Sequence, residues 1–335
     1  MQGYFSALRD KANALTSTTL WGGTTATSSD TASVKVSTGN NAAAGSYAVN
    51  VQRLATGQTV SGTPLASSAA TLSEGSITIE LGTYGSGSPA ADFTAKPGSS
   101  PVSITIGAGE TSLATIRDTI NSAGAGVVAT IVTDASGARL SLRSKETGAE
   151  NAFRVTVAES ADDGVAASGL SALSYDATSA DSPMARTASA VNAELSINGI
   201  ALTSASNTLT DVVDGLTVNL LKTTTSDVDV NVATDTTSVK TAITDFVGAF
   251  NTLASFIRTQ TAYNADSKTA GALQGDQSTL ALQSQLRAVL NEGSTASSVW
   301  SRMSDIGFSM KADGTLDTAT AKLDNALANL PELKK

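Results

Sequence analysis

The chain has 335 residues, 41% hydrophobic, 15% charged and only 4% aromatic, a length for about two domains and a set of small apolar side chains that favours several thin domains over one thick core. It has no cysteine and no histidine, which excludes disulfides, thiolate nucleophiles, Cys zinc sites, Fe–S clusters, Ser–His–Asp relays and imidazole ligands. A formal net charge of −9 repels phosphate backbones and anionic bilayers, so neither nucleic acid nor membrane is an expected partner.

The two ends read as helical and the long middle as β. Met1, Phe5, Leu8, Ala12 and Leu15 recur at four- and three-residue steps and predict a first helix. This N-terminus lacks the basic and apolar regions of a signal peptide, which fits a cytoplasmic chain, one exported by another route, or one cut from a longer protein. Nothing approaches the roughly 20 apolar residues of a membrane span. Gly22-Gly23 breaks the helix. Val34 and Val36, then Tyr47, Val49 and Val51, predict strands on either side of a Gly/Asn/Ala loop.

Further alternating pairs follow: Ile77, Ile79 and Leu81; Ile104 and Ile106; Leu140 and Leu142; Phe153, Val155 and Val157. Leu113, Ile116 and Ile120 fit one face of a short helix. Asp134-Ala-Ser-Gly137 reads as a hairpin turn between strands at 127–133 and 139–143. Asp162 to Ser189 has no pattern and is expected to be a long loop or domain exit. Strands return at Leu195 and Ile197; Leu216, Val218 and Leu220; and Val228, Val230 and Val232. A faint repeat relates 104–130 to 195–219, each reading as strand, short helical turn, Gly, strand.

After Asp235, Val239, Ile243, Phe246, Phe250, Leu253 and Ile257 form a heptad stripe. Asp276 is placed to cap a helix carrying Leu282, Leu286, Val289 and Leu290. A strand is expected at 308–310, and Leu316, Thr320, Leu323, Leu327 and Leu330 repeat the heptad spacing. The first and last helices are expected to form one bundle around an inserted β region. Burial inside that bundle and contact with other subunits are both open to the stripes.

Three groups invite chemistry and each has a plainer reading. Gly107-Ala-Gly109-Glu-Thr-Ser112, with Asp134 beyond the next strand, imitates a dinucleotide-binding loop. Ser112 replaces the third glycine, however, and a strand–loop–helix connection explains the segment. Asp313, Gly314 and Asp317 suggest a calcium loop, but the later Glu is absent and a turn suffices. Asp162 and Asp163 read as a solvated loop. No residue is assigned to catalysis, cofactor binding or metal binding.

Ala193-Glu-Leu-Ser-Ile-Asn-Gly-Ile200 and Ser206 to Leu220 are followed by Phe246 to Leu253, Gly271 to Asp276, Ile306 to Phe308, Asp313 to Leu316 and Lys322 to Leu327. In that order, with Gly45 to Ala55 upstream, they resemble the flagellar filament cap, or hook-associated protein 2, family. Ile120-Asn121, Gly126-Val127 and Thr147-Gly-Ala-Glu-Asn151 resemble a β module shared among hook and filament proteins.

The resemblance implies an α+β multidomain fold: a helical leg from 1–28 plus 236–335, a first β head domain from 29–62 plus 190–235, and an inserted second β head domain at 63–189, both mainly antiparallel. It implies a non-enzymatic cap at the distal filament tip that promotes flagellin polymerisation and stops monomer leakage. The implied partners are flagellin, other copies of the chain in a ring, and an export chaperone. The route implied is the flagellar channel, without a cleavable signal peptide. Relative to the family the chain is expected to lack terminal coiled-coil segments. Flagellin-contact and subunit-interface residues are not assigned. An alternative is an adhesin binding host mucin glycans through Ser/Thr-rich loops around Tyr84–Ser100 and Tyr175–Ser182.

Overall fold

The computed structural model describes residues 2–39, 42–264 and 268–335. Met1 of the first stripe, and Asn40 and Asn41 of the loop expected before Tyr47, lie outside the described residues. The chain divides into two compact units: Met1–Ala26, Thr38–Ala44 and Val232–Lys335 form one, and Thr27–Ser37 with Gly45–Asn231 the other.

The first unit is helical and draws on both chain ends. Helix Gln2–Leu15 lies against helix Thr236–Thr261. Tyr4 stacks on Phe256 at 4.7 Å and Lys11 pairs with Asp245 at 2.7 Å, so the two run antiparallel. Asp235 starts the long helix by accepting the Ser238 N–H at 2.9 Å, meeting one of the four N–H groups that a helix start leaves open. The expected stripe is buried, but Val247 and Ala254 join Val239, Ile243, Phe250, Leu253 and Ile257, while Phe246 is only partly covered. The buried row thus follows the 3.6-residue period of a straight helix, not a strict heptad.

Asp276 caps helix Gln277–Asn291 as expected. Leu286 and Leu290 pack on the core, whereas Val289 is 68% exposed. The last stripe is not one helix. Leu316 lies in a strand, Leu316–Thr318, paired with Phe308–Met310. Leu323 and Leu327 lie in helix Thr320–Leu327, and Leu330 opens the short helix Leu330–Leu333. All four leucines still enter one core and Thr320 stays exposed. Regular leucine spacing here reflects successive elements returning to the same hydrophobic surface.

The second unit is β-rich. One sheet runs in the order Thr24–Ser28, Val228–Thr234, Gly45–Arg53, Ala193–Ile197, Ile200–Ser204, and another joins Thr208–Val213, Leu216–Leu220 and Val34–Thr38. Strands Val34–Thr38 and Gly45–Arg53, adjacent in sequence, therefore belong to different sheets. Thr208–Val213 is a strand, not the helical turn expected from the repeat; its β-branched Thr208, Thr210, Val212 and Val213 favour the pleated surface.

The segment between Val60 and Met184 has a core of its own. Gly75–Tyr84 pairs antiparallel with Ala152–Glu159, Phe93–Ala95 and Val102–Ile106. A second sheet orders Ala185–Ala188, Thr59–Ser61, Gly137–Ser144 and Val127–Asp134. Thr59–Ser61 thus sits with the inserted segment, a few residues before the boundary expected at 62. Helix Leu113–Ser122 buries Leu113, Ile116 and Ile120 in this core, each contributing about 1.5–3 kcal/mol of burial. The patternless stretch 162–189 also feeds it: Leu170, Leu173, Tyr175 and Met184 are buried there.

Candidate functional site

The helix that follows the Gly107–Ser112 loop has its first backbone donors engaged within the fold. The Leu113 N–H goes to the Ala70 carbonyl at 3.0 Å and the Ala114 N–H to Ser68 at 2.9 Å. Ser112 Oγ accepts the Thr115 N–H at 3.2 Å, and Gly107 N–H is held by Glu110 at 3.2 Å. A helix N-terminus binds anions through free N–H groups, and here the fold has used them. Asp134 belongs to its hairpin turn: it accepts the Ser136 N–H and hydroxyl and pairs with Arg139 at 2.9 Å. These bonds hold its carboxyl below the usual aspartate range.

The carboxylates at 313 and 317 are paired, not converging. Asp313 accepts the Thr315 N–H at 3.0 Å and hydroxyl at 2.6 Å and meets Arg258 at 3.1 Å. Asp317 meets Lys311 at 3.2 Å across the same hairpin. Asp162 and Asp163 each accept a backbone N–H two residues on, and Asp163 also binds Ser168 Oγ at 2.6 Å. Among the described residues no group of three His, Cys, Asp or Glu side chains is arranged to hold a metal ion.

The two Ser/Thr-rich loops do meet. Ala90 N–H donates to the Ala177 carbonyl at 2.8 Å, and the Tyr84 ring lies 4.8 Å from Phe93 and 6.3 Å from Tyr175. Arg154 covers Phe93 at 4.8 Å while paired with Glu80 at 2.6 Å. Burial raises the Tyr84 phenol above its ordinary pKa. The aromatic rings of these loops are packed against one another rather than offered as an open stacking face.

Two surfaces escaped the sequence reading. Near the chain end, Glu332 accepts the Lys335 ammonium at 2.7 Å, the Ser297 hydroxyl at 2.8 Å and the Ser298 N–H at 3.1 Å. The Lys335 and Ser297 bonds lead in lowering its pKa from 4.5 to about 2. The folded state therefore holds this proton less tightly than the unfolded chain. Its stabilising effect is present above pH 4.5 and lost as pH falls towards 2. Melting scans between pH 5 and 2 should show a steeper acid loss in the parent than in Glu332→Gln, and equal slopes would remove this account. The serines that bind Glu332 lie more than thirty residues upstream, so only the fold reveals them.

The second surface is the outer face of edge strand Val127–Asp134. Val128 and Val132 are 43% and 50% exposed, opposite Arg143 and Arg139 on the neighbouring strand. The alternation Val128, Thr130, Val132 was available in the sequence, but the inward face was not distinguishable from the outward one.

The chain thus pairs a helical unit assembled from both chain ends with a β unit inserted within it, and the polar groups singled out above are committed to caps, turns and ion pairs. Residues 1–58 match the flagellar hook-associated protein 2 N-terminus, 190–333 its C-terminus, and 91–146 the flagellin hook IN motif. The chain belongs to the flagellar hook-associated protein 2 family. It is 32% identical to the B-type flagellar hook-associated protein 2 of Pseudomonas aeruginosa over 96% of this chain and 67% of that one. It is 33% identical to flagellar hook-associated protein 2 of Escherichia coli K12 over 90% and 63%. The chain thus spans about two thirds of these relatives' length. The D1-D2-D3 domains of the Escherichia coli flagellar cap protein FliD superpose with a TM-score of 0.76 at 31% identity, covering 99% of this chain and 87% of that one. FliD (HAP2) of Pseudomonas aeruginosa PAO1 gives 0.55 over 69% and 98%.

Proposed function

We propose that the chain is the main body of a filament cap, acting at the distal end of the flagellar filament to promote flagellin polymerisation and retain monomers. The match to the flagellar cap domains over nearly the whole chain carries this reading. Such work proceeds by shape and subunit contact, which suits a chain whose Asp and Glu groups serve caps, turns and ion pairs. Flagellin, other copies of the chain and, before export, a chaperone are its partners, and the exported protein acts outside the cell. The test is the gene's full product in a motile strain stripped of its own matched cap. Long filaments with little free flagellin are expected; bald cells shedding flagellin, with export verified, would remove the reading. The mucin-adhesin alternative gains no support from its two loops, whose aromatic rings are occupied within the fold.

Self-association is part of this reading, and we place a contact on the Val128–Val132 face. Two exposed β-branched side chains beside Arg143, on a chain of net charge −9, favour an acidic surface on a second copy. Val132→Glu should lower the oligomer fraction seen by light scattering without moving the melting temperature. An unchanged oligomer fraction would place the contact elsewhere.

A further inference from the structure

The chain passes between the first sheets of the β unit and the inserted segment twice, near residues 54–58 and 188–192. The two passages are paired to each other: Thr56 and Val191 exchange N–H···O bonds of 3.0 and 3.1 Å, and Thr56 Oγ1 donates to the Ser189 carbonyl at 2.7 Å. The Asn207 side chain holds Ala55 like an added strand residue, accepting its N–H at 2.7 Å and donating to its carbonyl at 2.8 Å. Two adjacent chain passages joined by a single bridge alone define an axis about which the inserted segment would swing.

A third contact braces the crossings at Thr56 and Asn192 and extends beyond them to Ala205. Thr147, Gly148 and Ala149, in the loop after strand Gly137–Ser144, reach across to the first sheets. Thr147 Oγ1 donates to the Ala205 carbonyl at 2.7 Å and Ala149 N–H to Asn192 Oδ1 at 2.7 Å. Gly148 N–H donates to the Thr56 carbonyl at 3.1 Å. Gly148 has φ +102, and a Cβ there would lie 2.5 Å from that of Ala205, so only glycine permits the approach. The loop is braced from behind. Asn151 Nδ2 donates to the Thr147 carbonyl at 2.6 Å, Lys96 to Asn151 Oδ1 at 2.7 Å, and Ser144 Oγ to the Asn151 carbonyl at 2.6 Å.

We propose that Thr147–Ala149, docked on Ala205 and Asn192, is a clasp that fixes the inserted segment's orientation, and that opening it turns the double crossing into a hinge. The proposal does not depend on the capping reading, since it concerns only how one part of the β unit is held on another. Its energetics are those of a few partly buried hydrogen bonds, each strong only while its partners are positioned. The clasp is therefore all-or-none over a short distance, and loss of one contact loosens the rest.

The chain has no native cysteine, so a spin-label pair is introduced cleanly with Thr105→Cys and Ala201→Cys, both exposed. Pulsed dipolar distances on the full chain should give one narrow distribution. Gly148→Val should replace it with a broad one while the far-UV circular dichroism is retained. If Gly148→Val fails to fold, the pair Thr147→Val with Asn192→Ala, which removes two clasp bonds without adding bulk at Gly148, decides the matter. A broad distribution in the parent, or a narrow and unmoved one in a folded clasp variant, would overturn the proposal.

Discussion

Phe153→Ala should strip about 3–5 kcal/mol from the β core, the usual cost of emptying a fully buried aromatic site. Phe153 is 0% exposed at the centre of the inserted segment's core, with the Tyr175 ring 6.5 Å away. Its strand pairs residue for residue with Gly75–Tyr84, Phe153 facing Leu81. The Phe153 carbonyl accepts the buried Gln58 side-chain amide at 2.7 Å and the Tyr84 hydroxyl at 3.3 Å. Those bonds survive the substitution, so the loss comes from the emptied volume and missing dispersion contacts. For a domain whose whole stability is of order 5–15 kcal/mol, this is about a fifth or more. Urea unfolding followed by far-UV circular dichroism should show the β transition moving to lower denaturant. An unmoved transition would mean that the core closes over the gap.

Leu253→Ala should do the same to the helical unit, at about 2–5 kcal/mol. Leu253 is 1% exposed in the core that also holds Phe250, Ile257 and Leu323. Alanine keeps the helix itself favourable, so packing alone is tested. Both tryptophans, Trp21 and Trp300, lie in this unit, and Trp21 donates its indole N–H to the Leu15 carbonyl at 2.6 Å. Tryptophan fluorescence therefore reports the helical core. Leu253→Ala should shift that signal's midpoint and leave the main β transition in place; Phe153→Ala should do the reverse. Joint shifts of both signals in both variants would contradict separate cores.

Much of this architecture was legible because its elements are regular and locally signalled. Alternating Ile77, Ile79 and Ile104, Ile106 mark strands, and Asp276 caps the helix expected after it. The Asp134–Gly137 turn lies where expected. What escaped has no period. Leu170 and Leu173 sit in a 3-10 turn, and Tyr175 and Met184 on irregular backbone, so no spacing announces that they are core. The last leucines kept a helical spacing across a strand and two helices, and periodicity cannot see the breaks. Sites were harder still. Whether the helix after Gly107–Ser112 starts with free N–H groups depends on Ser68 and Ala70, which take those of Ala114 and Leu113, and whether Glu332 is neutralised depends on residues near 297. Such partners are chosen by tertiary approach, which a local pattern does not record.

The helical unit's two halves are joined through side chains such as Lys11 and Asp245, 234 positions apart. Between them lies nearly all of the β unit, which joins hairpins such as Val127–Asp134 with Gly137–Ser144 to distant pairings such as Gly45–Arg53 with Ala193–Ile197. Bringing distant ends together costs closure entropy that grows with the logarithm of the free loop, and collapse of the intervening segment shortens that loop. The order of events is thereby biased: the β unit matures first, and the helical unit closes only after the last hundred residues are available. Until then, helix Gln2–Leu15 has its apolar stripe without a partner. A stalled or truncated chain would consequently present folded sheets with an unsatisfied amphipathic helix at its start, a species prone to association.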